Sequence, residues 1–269
     1  MKIKFIKYQA CGNDYIYIDN RNAQNLNLVE IAKKLSDRHF GIGGDGVVYI
    51  EKSDVATVKM RMFNSDGSVG EMCGNAVRCI ADYISNNDLI DIDNITIETL
   101  SGVKKLWLDD GVIAVDMGVP SLEPEKIGLN RPKPMIDYPI IVDDCVYLVT
   151  AVSIGNPHAV IFQEEKRASV GRAIEKHKLF KNGVNVEFVA IKEGHISVSV
   201  WERGTGETLS CGSGACAAAY AGVISGRFKR NEWINIEMKG GVLMVLVTTD
   251  DKVLLKGAVK YVFSGEIEL

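Results

Sequence analysis

Two cysteines in this 269-residue chain have matching surroundings. Cys73 closes the run Asn64-Ser65-Asp66-Gly67-Ser68-Val69-Gly70-Glu71-Met72-Cys73 and is followed by Gly74-Asn75. Cys211 closes Glu202-Arg203-Gly204-Thr205-Gly206-Glu207-Thr208-Leu209-Ser210-Cys211 and is followed by Gly212-Ser213. The cysteines stand 138 residues apart, as do Asn64 and Glu202, a register that marks an internal duplication. An alanine-containing helical run follows each Cys-Gly, so each thiol is expected at a helix start. Unpaired N–H groups point outward there, and the helix dipole adds partial positive charge. That setting favours thiolate and is expected to pull a cysteine below its ordinary value of about 8.5. The same N–H groups suit a carboxylate, and Gly74 and Gly212 let a ligand approach the backbone closely. Two such turns facing each other would hold one carboxylate between two helix ends. A thiol would then flank each side of the adjoining carbon. The chemistry this suits is removal of a proton from one face and delivery to the other, which inverts a stereocentre.

The remaining candidates fall around those turns. Gly74, Asn75, Gly212 and Ser213 would hold the carboxylate at the helix starts. Glu202, at the position equivalent to Asn64, is placed to accept a hydrogen bond from a substrate amine. Arg203 offers a bidentate fork for a carboxylate. The helix ends already serve one, so Arg203 points to a substrate with a second. Asn185 lies in an otherwise apolar run, Val184 to Ile191, where a buried amide needs partners. Gly155-Asn156-Pro157-His158 interrupts two apolar strands and reads by itself as a turn.

Elements that would position these groups follow from periodicity. Val58, Met60 and Met62 alternate before the first copy, and Ile196, Val198 and Val200 before the second, as in half-buried strands. Lys2 to Tyr8 and Tyr15 to Asp19 read as strands around Cys11-Gly12-Asn13-Asp14. Asn27 caps a helix with Glu30 three positions on. After Cys73 a helix runs to about Ser85. Three strands follow, the last two joined at Asp109-Asp110-Gly111, a hairpin signal. Five of the six prolines fall between Pro120 and Pro139, which places a domain boundary there. Cys145 to Ser153, Ala159 to Phe162, a helix near Val170 to His177, Val184 to Ile191 and Ile196 to Trp201 repeat the plan.

Composition narrows the function classes. Thirty-one basic residues against 35 acidic leave no basic field for nucleic acid. The uncharged run Leu209 to Gly226 is rich in Gly, Ala and Ser and reads as a buried helix, not a bilayer span. No export signal is apparent at Met1 to Tyr8, so the cysteines are expected reduced in a cytoplasm. Cys-x-x-Cys pairs are absent and no histidine neighbours either Cys-Gly turn, which argues against zinc. Gly41-Ile42-Gly43-Gly44-Asp45-Gly46 lacks the Lys-Ser/Thr of a phosphate loop. Cys11, Cys79, Cys145 and Cys216 are left as structural.

The segments Gly12-Asn13-Asp14, Phe63-Asn64-Ser65-Asp66-Gly67, Met72-Cys73-Gly74-Asn75, Gly155-Asn156-Pro157-His158, Glu202 to Thr208 and Cys211-Gly212-Ser213-Gly214-Ala215-Cys216 together resemble the diaminopimelate epimerase family, in order, across most of the chain. The resemblance implies an α/β (α+β) fold of two pseudo-symmetric domains, each a curved, mostly antiparallel sheet around a central helix. The domains expected are 1–118, with strand 262–269 returning to it, and 119–261. It implies that Asn13, Asn64, Asn156 and Asn185 contact substrate and that His158 helps poise the thiols. It implies a cofactor-independent isomerase interconverting LL- and meso-diaminopimelate toward lysine and peptidoglycan precursors, with Cys73 and Cys211 as the two bases. The partner expected is this small-molecule substrate, with no nucleic acid, membrane or metal, and a homodimer by analogy. Two alternatives stay open. One is a related cysteine-pair racemase for proline, hydroxyproline or another amino acid; the other is a redox-responsive binding protein.

Overall fold

Strand β1 (Lys2–Ala10) sets the pattern for most of the molecule: lysines at 2 and 4 face solvent while Ile3 and Phe5 are buried. The computed structural model describes residues 2–22, 27–164 and 168–268. It divides into two units, Met1–Val115 with Lys256–Leu269, and Asp116–Leu255. Each is a mixed α+β assembly dominated by its sheet.

The first unit continues with β2 (Asn13–Asp19), α1 (Leu28–Ser36), β3 (Gly46–Glu51), β4 (Val58–Asn64), β5 (Val69–Gly70), α2 (Gly74–Asp88), β6 (Thr96–Thr99) and β7 (Gly102–Asp109), and β8 (Val112–Gly118) follows. The second comprises α3 (Pro124–Ile127), β9 (Tyr138–Val142), β10 (Cys145–Ser153), β11 (Pro157–Ile161), α4 (Ala168–Glu175), β12 (Asn185–Lys192), β13 (His195–Glu202), β14 (Gly206–Glu207), α5 (Gly212–Ile224), β15 (Ile234–Met238) and β16 (Gly241–Val247). Strand β17 (Val253–Lys256) precedes β18 (Lys260–Glu268).

The duplication is explicit in the pairing. In the first unit β1–β2 is antiparallel, β2–β3 parallel, β3–β4 antiparallel, β4–β6 parallel and β6–β7 antiparallel. In the second, β10–β11, β11–β12, β12–β13, β13–β15 and β15–β16 repeat that series of directions. Beyond β1 lies β18, antiparallel to it, with Lys2 opposite Glu268. Beyond β10 the corresponding place is taken by β9.

Several local expectations change in detail. Strand β9 is hidden in the sequence by Pro139, which is exposed, lies opposite Leu148 and is tolerated because β9 pairs only with β10 among the described strands and so forms an edge. Asp143 and Asp144, both at positive φ, make the two-residue turn of that hairpin. Helix α2 runs on past Ser85 to Asp88 and stops where Leu89 enters the left-handed region. Helix α4 starts two residues earlier than the sequence suggests. Asn27 does cap α1, accepting from Glu30 N, but the return bond runs from Asn27 Nδ2 to the Glu30 carboxylate rather than from the Asn27 backbone. Cys79 and Cys216 are core residues, whereas Cys145, expected to be structural, is exposed at the start of β10.

Helix α5 is apolar on every side, as a helix enclosed by its sheet must be. It lies against β10 to β13 and β16. Small residues make that fit possible: Ala215 and Ala217 to Ala219 are fully buried. Among the described residues no helix is long and apolar enough to cross a membrane.

At Gly222 a Cβ would come within 2.1 Å of the Phe228 ring. Alanine normally favours a helix over glycine by about 1 kcal/mol. Gly222→Ala is nevertheless expected to destabilise by about 1–3 kcal/mol through overpacking, read as a lower midpoint in urea unfolding. A higher midpoint would mean that α5 has room the packing denies.

Candidate active site

The sequence delivers each cysteine to its helix in the same way. Strand β4 ends at Asn64 and β13 at Glu202; each folds back through a two-residue strand, β5 or β14, before the chain reaches the cysteine. Cys73 and Cys211 are the N-caps of α2 and α5, with φ/ψ of −136°/116° and −134°/112°. Both are half-buried. Gly74 and Gly212 are the first helical residues, and both are buried. The local geometry of the two copies therefore matches to a few degrees.

The first unit surrounds Cys73 with amides. The thiol donates to Asn13 Oδ1 at 3.5 Å, and Asn75 Nδ2 donates to the same oxygen at 3.4 Å. Asn13 Nδ2 in turn donates to Asp45 Oδ2 at 2.7 Å. Buried Arg78 donates to Asn75 Oδ1 at 2.7 Å, which orients that amide from below. Asp45 also accepts from Asp14 N and, through its carbonyl, from Ser65 N, so it ties the glycine-rich loop to the turn after β4. Asn64 stands apart from this cluster, with Nδ2 donating to Ser68 Oγ at 2.9 Å within its own turn.

The second unit surrounds Cys211 with acids. Its sulfur lies 3.4 Å from Ser213 Oγ and accepts from Gly214 N at 3.4 Å. Burial, then the Glu202 and Glu187 carboxylates, push this thiol well above the ordinary range, against the opposing donation from Ser213 and Gly214. This differs from the expectation of a lowered thiol: desolvation and then two nearby carboxylates act against the donors at the helix start. Glu202 is held by Thr208 Oγ1 at 2.6 Å. His158, fully buried on β11, has Nδ1 2.7 Å from Glu187 Oε1 and Nε2 2.9 Å from Asn156 Oδ1.

Asn185 acts as a brace between two loops. Its Nδ2 donates to the Pro157 carbonyl at 3.0 Å and its Oδ1 accepts from Arg203 N at 2.9 Å. The Arg203 side chain passes over Gly183 and donates from Nη1 to the Asn182 carbonyl at 3.3 Å. Glu175, at the end of α4, accepts from Gly204 N at 3.0 Å and from Trp201 Nε1 at 2.7 Å, and so fixes the turn that carries Arg203.

Sequence reasoning missed Asp45, Glu175 and Glu187. The rule that singled out Asn185 applies equally to Glu187, two positions along the same apolar strand, and would have found it. Glu175 reads as an ordinary helix-end residue and gives no such signal. A cavity of about 500 Å³ in the second unit is lined by Phe188, Trp201, Thr208, Leu209 and Met238 among others, and by none of the expected site residues. Among the described residues no three His, Cys, Asp or Glu side chains converge as metal ligands would.

A sequence profile described as Diaminopimelate epimerase matches residues 5–123 and 150–262. The chain belongs to the diaminopimelate epimerase family. It is 43% identical over 283 residues to the diaminopimelate epimerase of Leptospira biflexa, covering 100% of both chains. To the Methanococcus maripaludis enzyme of the same name it is 44% identical over 279 residues, covering 99% of this chain and all of that one. Solved structures share the fold at low identity. A Bacillus anthracis phenazine biosynthesis protein of the PhzF family gives a TM-score of 0.71 at 16% identity, with 100% of both chains covered. A hydroxyproline epimerase from Agrobacterium vitis gives 0.67 at 12%, over 99% of this chain and 92% of that one.

The raised Cys211 thiol has a direct test. Alkylation by iodoacetamide, with Cys211 resolved from exposed Cys145 by peptide mass spectrometry, should keep accelerating through pH 9. A plateau below pH 8 would contradict a thiol held above the ordinary value of about 8.5.

Proposed function

We propose that this protein is a cofactor-independent epimerase interconverting LL- and meso-diaminopimelate, with Cys73 and Cys211 as its two bases. The observation that carries this reading is the matched pair of cysteine N-caps in a chain of the diaminopimelate epimerase family. One thiolate takes the α-proton while the other group, as thiol, delivers a proton to the opposite face; the roles exchange with reaction direction. The N–H groups at Gly74, Asn75, Gly212 and Ser213 hold the α-carboxylate and stabilise charge as it develops at the α-carbon.

Substrate binding itself changes the Cys211 environment. The α-ammonium, lodged against Glu202, neutralises one of the two carboxylates that keep the proton on this thiol. His158, Asn156 and Asn13 position the groups around the reacting centre, while Asn64, Asn185 and Arg203 read the distal amino acid end. Arg203 takes the distal carboxylate as a bidentate fork. This requirement separates diaminopimelate from proline and other monocarboxylate substrates. A cytoplasmic setting, a place in lysine and peptidoglycan-precursor synthesis and a homodimer rest on the family resemblance.

Chiral chromatography of LL-diaminopimelate incubated with reduced protein tests the assignment. Formation of the meso isomer, with proline left unchanged, is expected; turnover of proline alone would replace the substrate. Cys73→Ala and Cys211→Ala should each lose at least about 100-fold in rate, the scale of a lost general acid or base. Full activity in either folded variant refutes the two-thiol scheme. Arg203→Lys keeps the charge but loses the fork, so KM should rise by about tenfold with kcat less affected. An unchanged KM would remove Arg203 from the distal site.

A further inference from the structure

The two halves differ at one buried pair. Strand pairing sets the equivalence: Val47 lies opposite Phe63 and Val48 opposite Met62, while Val186 lies opposite Trp201 and Glu187 opposite Val200. Glu187 thus occupies in the second unit the place of Val48 in the first. The parallel neighbours agree, since Tyr15 is registered with Gly46 and His158 with Asn185. The first unit fills these two places with Tyr15 and Val48, both buried core residues. The second fills them with a fully buried histidine and carboxylate in hydrogen-bond contact. A buried polar pair is no aid to stability relative to an apolar one. The fold has shown that it can be built without it.

The pair sits against the reacting thiol's helix. A Cβ on Gly214 would come within 2.8 Å of Glu187 Oε1 and 3.3 Å of Cys211 Cβ, so the carboxylate occupies the space beside the first turn of α5. Gly214 is also the residue whose N–H caps Cys211 Sγ. Glu187 Oε2 is buried with no hydrogen-bond partner among the described residues. Such an oxygen is costly unless its charge has a use.

We propose that Glu187 is a positioning residue for the Cys211 half of the site: it fixes the His158 ring toward Asn156 and places a carboxyl group beside the first turn of α5. This rests on the epimerase reading above for its catalytic consequence, but the placement of the carboxyl group stands on geometry alone. The His158 ring is held from both sides, Nδ1 against Glu187 Oε1 and Nε2 against Asn156 Oδ1, so Glu187 and Asn156 together fix its orientation. The other groups acting on Cys211 are the Glu202 carboxylate from β13 and the Ser213 hydroxyl and Gly214 N–H of its own helix. When the substrate ammonium neutralises Glu202, the Glu187 carboxyl group still lies beside the first turn of α5.

The test compares wild type with Glu187→Gln, which retains an acceptor for His158 but removes the charge, and with the paired variant His158→Leu/Glu187→Val, which leaves neither member without its partner. Circular dichroism establishes folding. At pH 8 Cys211 should be alkylated three- to tenfold faster in both variants, with Cys145 unchanged as internal control. In Glu187→Gln, kcat should fall by tenfold or more with KM within threefold of wild type. Alkylation and kcat both at wild-type level in a folded variant would overturn the proposal. The alkylation assay needs no substrate. Faster alkylation in protein that never turned over diaminopimelate would therefore overturn the epimerase reading while upholding the placement of the carboxyl group.

Discussion

An α-helix begins with N–H groups that its own backbone cannot satisfy, and each unit has one such beginning at a cysteine. Serine, threonine, aspartate or asparagine would normally cap them. Here the caps are cysteines, whose sulfur is a weak acceptor. Cys73 makes no capping bond, and Cys211 makes a long one to Gly214 N. The helix starts are therefore left with capacity for an anionic ligand, and each carries a group that can gain or lose a proton. The nearly identical φ/ψ of the two caps means that this arrangement was built once and copied.

The copies then diverged in their surroundings. Amides dominate around Cys73, where Asn13, Asn75 and, behind them, Asp45 and Arg78 form a hydrogen-bonded chain. Carboxylates dominate around Cys211, where burial and then Glu202 and Glu187 raise the thiol. A reaction that takes a proton at one thiol and gives one at the other does not need equal thiols in the empty enzyme. It needs one thiolate and one thiol when substrate is bound, and a substrate ammonium can shift that balance where a carboxylate is waiting. The acidic side is the one that responds to a cation.

Much of this was legible in the sequence because it rests on local rules. The 138-residue register between Cys73 and Cys211 located both helix starts, and period-two runs located β4 and β13. The Asp110-Gly111 turn and the Asn27 cap follow from residue chemistry alone. What escaped depends on tertiary packing. Strand β9 carries a proline that local reasoning counts against it, yet an adjacent strand makes it viable. Glu175 reaches the Arg203 turn across 28 residues, and nothing in its neighbourhood announces that. The direction of the Cys211 shift is not legible in the sequence because a helix start can be read there, whereas burial of the sulfur and the two carboxylates beside it exist only once the strands are in place.

In the two-thiol scheme, different groups handle the departing and arriving protons. The decisive measurement is LL-diaminopimelate incubated in D₂O and stopped after a small fraction of one equilibration, with each isomer separated and its α-hydrogens counted by mass spectrometry. Meso product should carry solvent deuterium at the inverted centre from the first turnover while recovered LL substrate still carries protium. Meso product that retains its original protium would show one group returning the same proton, and would contradict the two-thiol scheme.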